Sequence, residues 1–267
     1  MSVDASAVNV AKYVIKKTPI GHLGKCLENL KIVLGERVMD TDDVKKEIHN
    51  YGENHLSPVQ NDVTNSKVVV SALTKDSNGF YYDQGQKVRF KIGLENGSIE
   101  NAEVIDFQND LRDKVQEKLL QYLDKYFKAE VTKFNVFFDN DKNKLVVIIS
   151  VHNLNLKAFW TGEWLSTWEL NLNNKNCHGV IKANTYYYEE GNVQLNIETK
   201  CDSTISGDVP SALIEFIEKS ENDIQTAMEK VYDDFNEIYI KPLRRALPVT
   251  GTKMNWNLNQ IQMATNQ

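Results

Sequence analysis

Three cysteines in 267 residues, Cys26, Cys177 and Cys201, are an odd number without CxxC spacing. That excludes a disulfide framework and a cysteine-built metal site, and the expectation is unbridged thiols in a reducing compartment. Five prolines and 13 glycines argue against long flexible linkers. No stretch approaches the roughly 18 consecutive apolar residues of a membrane span. The first segment, MSVDASAVNVAKYVIKK, has an early acid and no apolar stretch before a cleavage site, so no secretory leader is expected. These absences together predict a soluble intracellular protein. Basic residues are also in the minority, 31 Lys+Arg against 37 Asp+Glu. They form no track long enough for a phosphate backbone, so nucleic acid is not expected as a partner.

Catalytic signatures are missing as well. His22, His49, His55, His152 and His178 form no HExxH and no ligand spacing. There is no GxxxxGK[ST], no GxGxxG and no GxSxG. The sequence therefore predicts no enzyme, no metal site and no cofactor. Asp139-Asn140-Asp141-Lys142-Asn143 resembles the opening of a calcium loop, but its sixth position is Lys144 and its twelfth Ser150. A hairpin turn is expected there instead.

Hydrophobic residues at 41% and charged residues at 25% describe an ordinary globular chain. Helical spacing marks residues 3–16, Leu23 to Leu34 before Gly35, and a third segment capped at Asp40-Thr41. Strand-like runs follow at 67–73, 80–83 and 87–94. A helix is expected over 105–127, with Leu111, Val115, Leu119, Leu120, Leu123 and Phe127 on one face. From 131 to 199 five strand patterns with short turns predict an antiparallel meander. A long helix, capped by Asp208 with Pro210 in its first turn, is expected from about 210 to 239. The fold class is thus α+β: N-terminal helices, an antiparallel sheet, a long C-terminal helix across it and a short amphipathic tail. The segments run 1–60, 61–130, 131–200, 201–240 and 241–267.

At the third strand pattern of this meander Trp160, Trp164 and Trp168 recur every four residues on one side. Such a row can bind a sugar or small ligand, but packing beneath the long helix or at a subunit interface is the favoured reading. Charge is unevenly placed near the end. Residues 202–240 hold ten acids and two lysines, net −8, whereas 241–267 hold Lys241, Arg244, Arg245 and Lys253 and no acid, net +4. Beyond them Met254, Leu258 and Ile261 fall at i, i+4 and i+7, with Trp256 and Met263 alongside. This amphipathic face is too short for a stable helix alone in water. It either docks on a partner's apolar groove or folds back on its own body, and periodicity is the same for both.

Three segments, FWTGEWLSTW (159–168), TYYYEEGNVQL (185–195) and IKPLRRALPVTGTKMNW (240–256), are similar to signature segments of the alpha subunit of heterodimeric F-actin-capping protein. NGFYYDQGQKVRFK (78–91) and HLSPV (55–59) echo it more weakly. The chain departs at Thr185-Tyr186, usually Val-His, at Ile240-Lys241-Pro242, and at Gly251, often basic in the family. The resemblance implies a cytoplasmic, cytoskeletal protein whose alpha and beta subunits join their strands into one sheet. The pair would cap filament barbed ends without calcium and block both subunit addition and loss. It further implies an actin-binding set of Lys241, Arg244, Arg245 and Lys253 with Trp256, Leu258 and Ile261. Phosphoinositides and proteins with capping-protein-interaction motifs would be its regulators.

Overall fold

The computed structural model describes residues 4–93, 98–189 and 193–234. The chain divides into two compact units, residues 1–218 and 219–267. In the first, helices α1 (Ala5–Lys17), α2 (Leu23–Leu34), α3 (Glu36–Met39) and α4 (Asp42–Asn54) pack on one another. Ala11, Ile15, Leu30, Val38, Val44 and Tyr51 form their core. Asp4 caps α1 by accepting from the Ser6 N–H at 2.9 Å. Gly35 ends α2 at φ 85°, a conformation that favours glycine. Thr41 precedes α4 as expected, yet its hydroxyl donates backwards to the Val38 carbonyl rather than capping the helix. The four-residue α3 is too short for periodicity to reveal.

Two small sheets follow: β1 (Pro58–Asn61) with β2 (Ser66–Val69), and β3 (Tyr81–Asp83) with β4 (Val88–Ile92) and β5 (Ile99–Val104). The 67–73 run is shorter as a strand than its pattern suggests. Ser71 accepts from the Leu73 N–H and turns the chain into a single 3-10 turn. Helix α5 (Asp110–Tyr126) begins five residues later than expected, where the Asn109 side chain accepts from the Arg112 N–H at 2.9 Å. Its inward face is also corrected. Leu120 is exposed, while Arg112 is buried at 4% because its side chain reaches the sheet.

Strands β6 (Thr132–Asp139), β7 (Lys144–Asn155), β8 (Trp160–Asn171), β9 (Asn176–Tyr187) and β10 (Val193–Thr204) form the expected antiparallel meander, in spatial order β10-β9-β8-β7-β6. Asp139 to Asn143 make the β6–β7 hairpin turn, with Asp139 Oδ1 accepting from the N–H groups of Asp141 and Lys142. Cross-strand register puts Leu145, Val147, Trp168, Leu170, Cys177 and Ile181 on one face. Val146, Ile148 and Leu165 lie on the other, against Leu56 and Val69. Cover on both faces is why β7 reads as an unbroken apolar run, Leu145 to Ile149, instead of alternating.

Helix α6 (Val209–Asp234) starts at Asp208, whose Oδ2 accepts from the Ser211 N–H and hydroxyl. Its first turns bury Leu213, Ile214 and Ile217, and Phe216 meets Trp168 edge-on at 5.4 Å. The described part of the second unit is the remainder of this helix. It carries Glu221, Asp223, Glu229, Asp233 and Asp234 against Lys219 and Lys230. Among the described residues no helix is long and apolar enough to cross a membrane.

Candidate functional site

The two edges of the five-stranded sheet are built differently. Along β6 the outward backbone groups of Phe138 and the outward carbonyl of Val136 are occupied by side chains. The Phe138 N–H donates to Gln84 Oε1 at 2.7 Å and its carbonyl accepts from Gln84 Nε2 at 2.9 Å. One side-chain amide thus takes the place of a neighbouring strand. The Val136 carbonyl accepts from Arg112 Nε at 3.0 Å. Asn135 Nδ2 donates to the Tyr82 carbonyl at 2.8 Å. Gln84 and Arg112 are each 4% exposed, so this closure lies inside the protein.

The turn that delivers Gln84 is held by Asp83, whose Oδ1 accepts from the Gln86 N–H at 3.0 Å. A Cβ on Gly85 would stand 2.6 Å from both Arg112 Nη2 and Gln116 Oε1, so a larger residue there would push the ends of those two side chains aside. Burial pushes the Asp83 carboxyl up to about 6, against the pull of the Gln86 N–H and of Arg112.

At the opposite edge, β10 pairs with β9 from Val193↔Tyr187 to Thr204↔Asn176. Among the described residues no strand lies along its outer side. It is 12 residues long, unbroken by proline, and without a register shift. Leu195, Ile197, Thr199 and Cys201 share one face and are half-buried. Glu198, Lys200 and Asp202 share the other and are exposed. A long, straight edge of this kind templates pairing with another strand.

A polar junction ties the N-terminal helices to the sheet. The Glu163 side chain is fully buried. It accepts from His55 Nδ1 at 2.8 Å and from Asn184 Nδ2 at 2.6 Å. His152 Nε2 donates to the His55 carbonyl at 2.8 Å, and Ser150 Oγ donates to the Leu56 carbonyl at 2.8 Å. Burial lowers the pKa of His152 despite the nearby Glu163. Sequence reasoning placed Glu163 only within an aromatic segment and did not single it out. No periodicity marks a carboxylate that will be desolvated by residues a hundred positions away.

Trp160, Trp164 and Trp168 do share one face, opposite Tyr187, Ala183 and Gly179. Trp168 is fully buried against Phe216, and a Cβ on Gly179 would lie 2.3 Å from its ring. The packing role expected for the row therefore holds at Trp168. Cys177 is buried, and that burial pushes its thiol up to about 12. Lys241, Arg244, Arg245, Lys253, Trp256, Leu258 and Ile261 lie outside the described residues, as do Pro242, Gly251 and the end of the expected long helix.

Comparison with known proteins places this architecture. A model of the F-actin capping protein alpha subunit family matches residues 11–266. An F-actin-capping protein subunit alpha of Debaryomyces hansenii is 28% identical over 262 residues, covering 96% of this chain and 94% of that one. The Schizosaccharomyces pombe protein of the same name is 27% identical over 251 residues, covering 93% and 95%. Among solved structures, the homodimeric actin capping protein alpha subunit from Plasmodium berghei aligns with TM-score 0.70 at 16% identity, over 84% of this chain and 91% of that one. With a match that runs almost end to end, the chain belongs to the F-actin capping protein alpha subunit family.

Proposed function

We propose that this chain is the alpha subunit of an obligate heterodimer that binds actin filament barbed ends and blocks subunit addition and loss without calcium. The observation that carries the reading is the family match over residues 11–266. The open β10 edge supports it, since the strands of a similar beta subunit would complete the sheet there. On this reading the chain is not an enzyme and works in the cytoplasm, on the cytoskeleton.

Actin is met by the C-terminal segment. Lys241, Arg244, Arg245 and Lys253 supply charge against an acidic actin surface, and the net −8 of residues 202–240 keeps that segment distinct. Trp256, Leu258 and Ile261 anchor it, each contributing roughly 1.5–3 kcal/mol if fully buried. Phosphoinositide headgroups would compete with actin for the same basic cluster. Proteins carrying capping-protein-interaction motifs are the second class of regulator.

The test is seeded elongation of actin from barbed ends, with the chain co-expressed with a capping beta subunit and with the chain alone. Inhibition by the pair only is the expected result. Arg244→Ala with Arg245→Ala should slow capping and flatten its salt dependence, while deletion of 254–267 should raise the off-rate and leave the heterodimer intact. A well-formed pair that leaves elongation untouched would overturn the reading.

A further inference from the structure

Helix α5, the first residues of β6 and the turn from Asp83 to Gln86 border a cavity of about 340 Å³. Leu120, Leu123, Phe127 and Phe134 give it apolar walls. Leu120 is exposed and Leu123 is buried, so this wall runs from solvent to the interior. Asp83 and Asn135 line the same cavity and are only 2% and 1% exposed. Apolar walls with a few convergent polar groups are the makeup of a small-molecule site.

Both polar side chains are fixed by one hydrogen bond and left short of another. Asp83 Oδ1 accepts from the Gln86 N–H at 3.0 Å, and Asn135 Nδ2 donates to the Tyr82 carbonyl at 2.8 Å. Asp83 Oδ2 and Asn135 Oδ1 are also buried, and no donor among the described residues reaches either of them. Buried acceptors normally have partners. Two unpartnered acceptors on residues of one cavity point to a ligand that brings N–H groups.

What the cavity lacks is donors and not charge. Arg112 lies close enough to act on the Asp83 carboxylate. Its hydrogens are spent elsewhere, Nε on the Val136 carbonyl, Nη1 on Asp113 and Nη2 on Gln116. The carboxylate is therefore offset in charge without being hydrogen-bonded by that guanidinium. Lys67 and Lys133 outnumber Asp124 among the other lining residues. An ammonium ligand would meet those cations, whereas a neutral amine on a flat ring would not. A ring also suits Phe127 and Phe134, because every nucleic-acid base has a face that stacks on an aromatic side chain. An anionic group carried by such a ring would find Lys67 and Lys133.

We propose that this cavity binds an amino-substituted aromatic base of the purine nucleotide class, its N–H groups on Asp83 Oδ2 and Asn135 Oδ1 and its ring against Phe127 and Phe134. The site uses neither β10 nor residues 241–267, so it stands apart from the capping reading.

The test is a titration followed by saturation-transfer difference NMR, with guanosine, adenosine and inosine monophosphates as probes. The full chain is used, purified with a beta subunit where the pair forms and alone where it does not. Guanosine and adenosine monophosphates carry an exocyclic amino group and inosine monophosphate lacks it. At least one of the first two is expected to bind about tenfold or more tightly than inosine monophosphate. Ribose 5-phosphate, which offers the lysines an anion without a base, is expected to bind weakest.

Asp83→Asn keeps the shape of the side chain and removes one of the two acceptors that the base requires. It should weaken binding of the amino nucleotide by about tenfold or more, with thermal unfolding as the folding control. Leu120→Glu changes the exposed wall, leaves the buried hydrogen bonds untouched and should weaken binding as well. Inosine monophosphate or ribose 5-phosphate binding as tightly as the amino nucleotides would overturn the proposal. So would a folded Asp83→Asn chain of unchanged affinity, or a wild type that takes none of the nucleotides.

Discussion

The two edges of one sheet teach what an interface looks like before its partner arrives. At β6, Gln84 and Arg112 spend buried side chains on the Phe138 and Val136 backbone groups, and a tight turn through Gly85 brings them there. At β10 a longer strand receives no such treatment among the described residues. Edge strands are commonly blunted by short length, proline, bulges or covering elements. Buried side chains cover part of β6, and among the described residues none of these devices is present on β10. This selective protection is what supports the proposal that a partner joins at β10.

The largest expected effect comes from breaking the closed edge at its buried cation. Arg112→Ala removes the donor to Val136 and leaves buried Asp83 without its compensating charge. A loss of about 3–5 kcal/mol is expected, measured by denaturant unfolding of the purified complex. A loss below about 1 kcal/mol would mean that the Arg112 contacts are incidental.

Gln84→Ala is the next largest. It strands both the N–H and the carbonyl of Phe138, two groups with net hydrogen bonds of about 1 kcal/mol each and a desolvation cost on top. Destabilisation of about 2–3 kcal/mol is expected, with increased self-association through the newly opened β6 edge. If unfolding is unchanged, the clip contributes nothing and the contrast between the edges collapses.

The smallest effect is a pH-dependent one at Asp83, and it sharpens the comparison by isolating the turn. Its folded value is raised to about 6 from 3.8, so the fold favours the protonated form. The stability this contributes is fully present below the unfolded value and is lost as pH rises through about 6. Asp83→Asn removes that loss, so the variant should gain on the wild type progressively from pH ~4 to ~6 and keep a constant gain of about 1–3 kcal/mol up to pH 8. Parallel stability curves from pH 4 to 6 would contradict this account of the turn.

Much of the fold was legible in the sequence, for reasons that differ by element. The five-strand meander showed itself because β6 to β10 carry strand patterns separated by turn residues. Strand β5 stayed hidden because IENAEV is polar and largely exposed, so neither face is marked by apolar alternation. Arg112 and Glu163 were invisible as buried residues. Whether a charged side chain is desolvated depends on which distant backbone or histidine meets it, and local spacing carries no trace of that. The joining of two subunits through one sheet was implied by the family resemblance alone, and neither the strand at which it occurs nor the Gln84 clip on β6 was marked in the sequence. A glutamine in a turn reads as solvent-facing until the strand it completes is known. The basic and apolar tail was equally plain as a pattern, and its residues from Lys241 to Ile261 lie outside the described part of the structure.

The central claim is that β10, and not β6, is the edge at which a partner joins. Amide hydrogen exchange along both strands, in the chain alone at high dilution and in its complex with a beta subunit, tests it most directly. The outward amides of β10 are expected to exchange quickly in the lone chain and to become protected in the complex, while the Phe138 amide of β6, held by Gln84, stays protected in both. Protection that appears at β6 on pairing, or β10 amides that exchange equally fast in both states, would contradict the account.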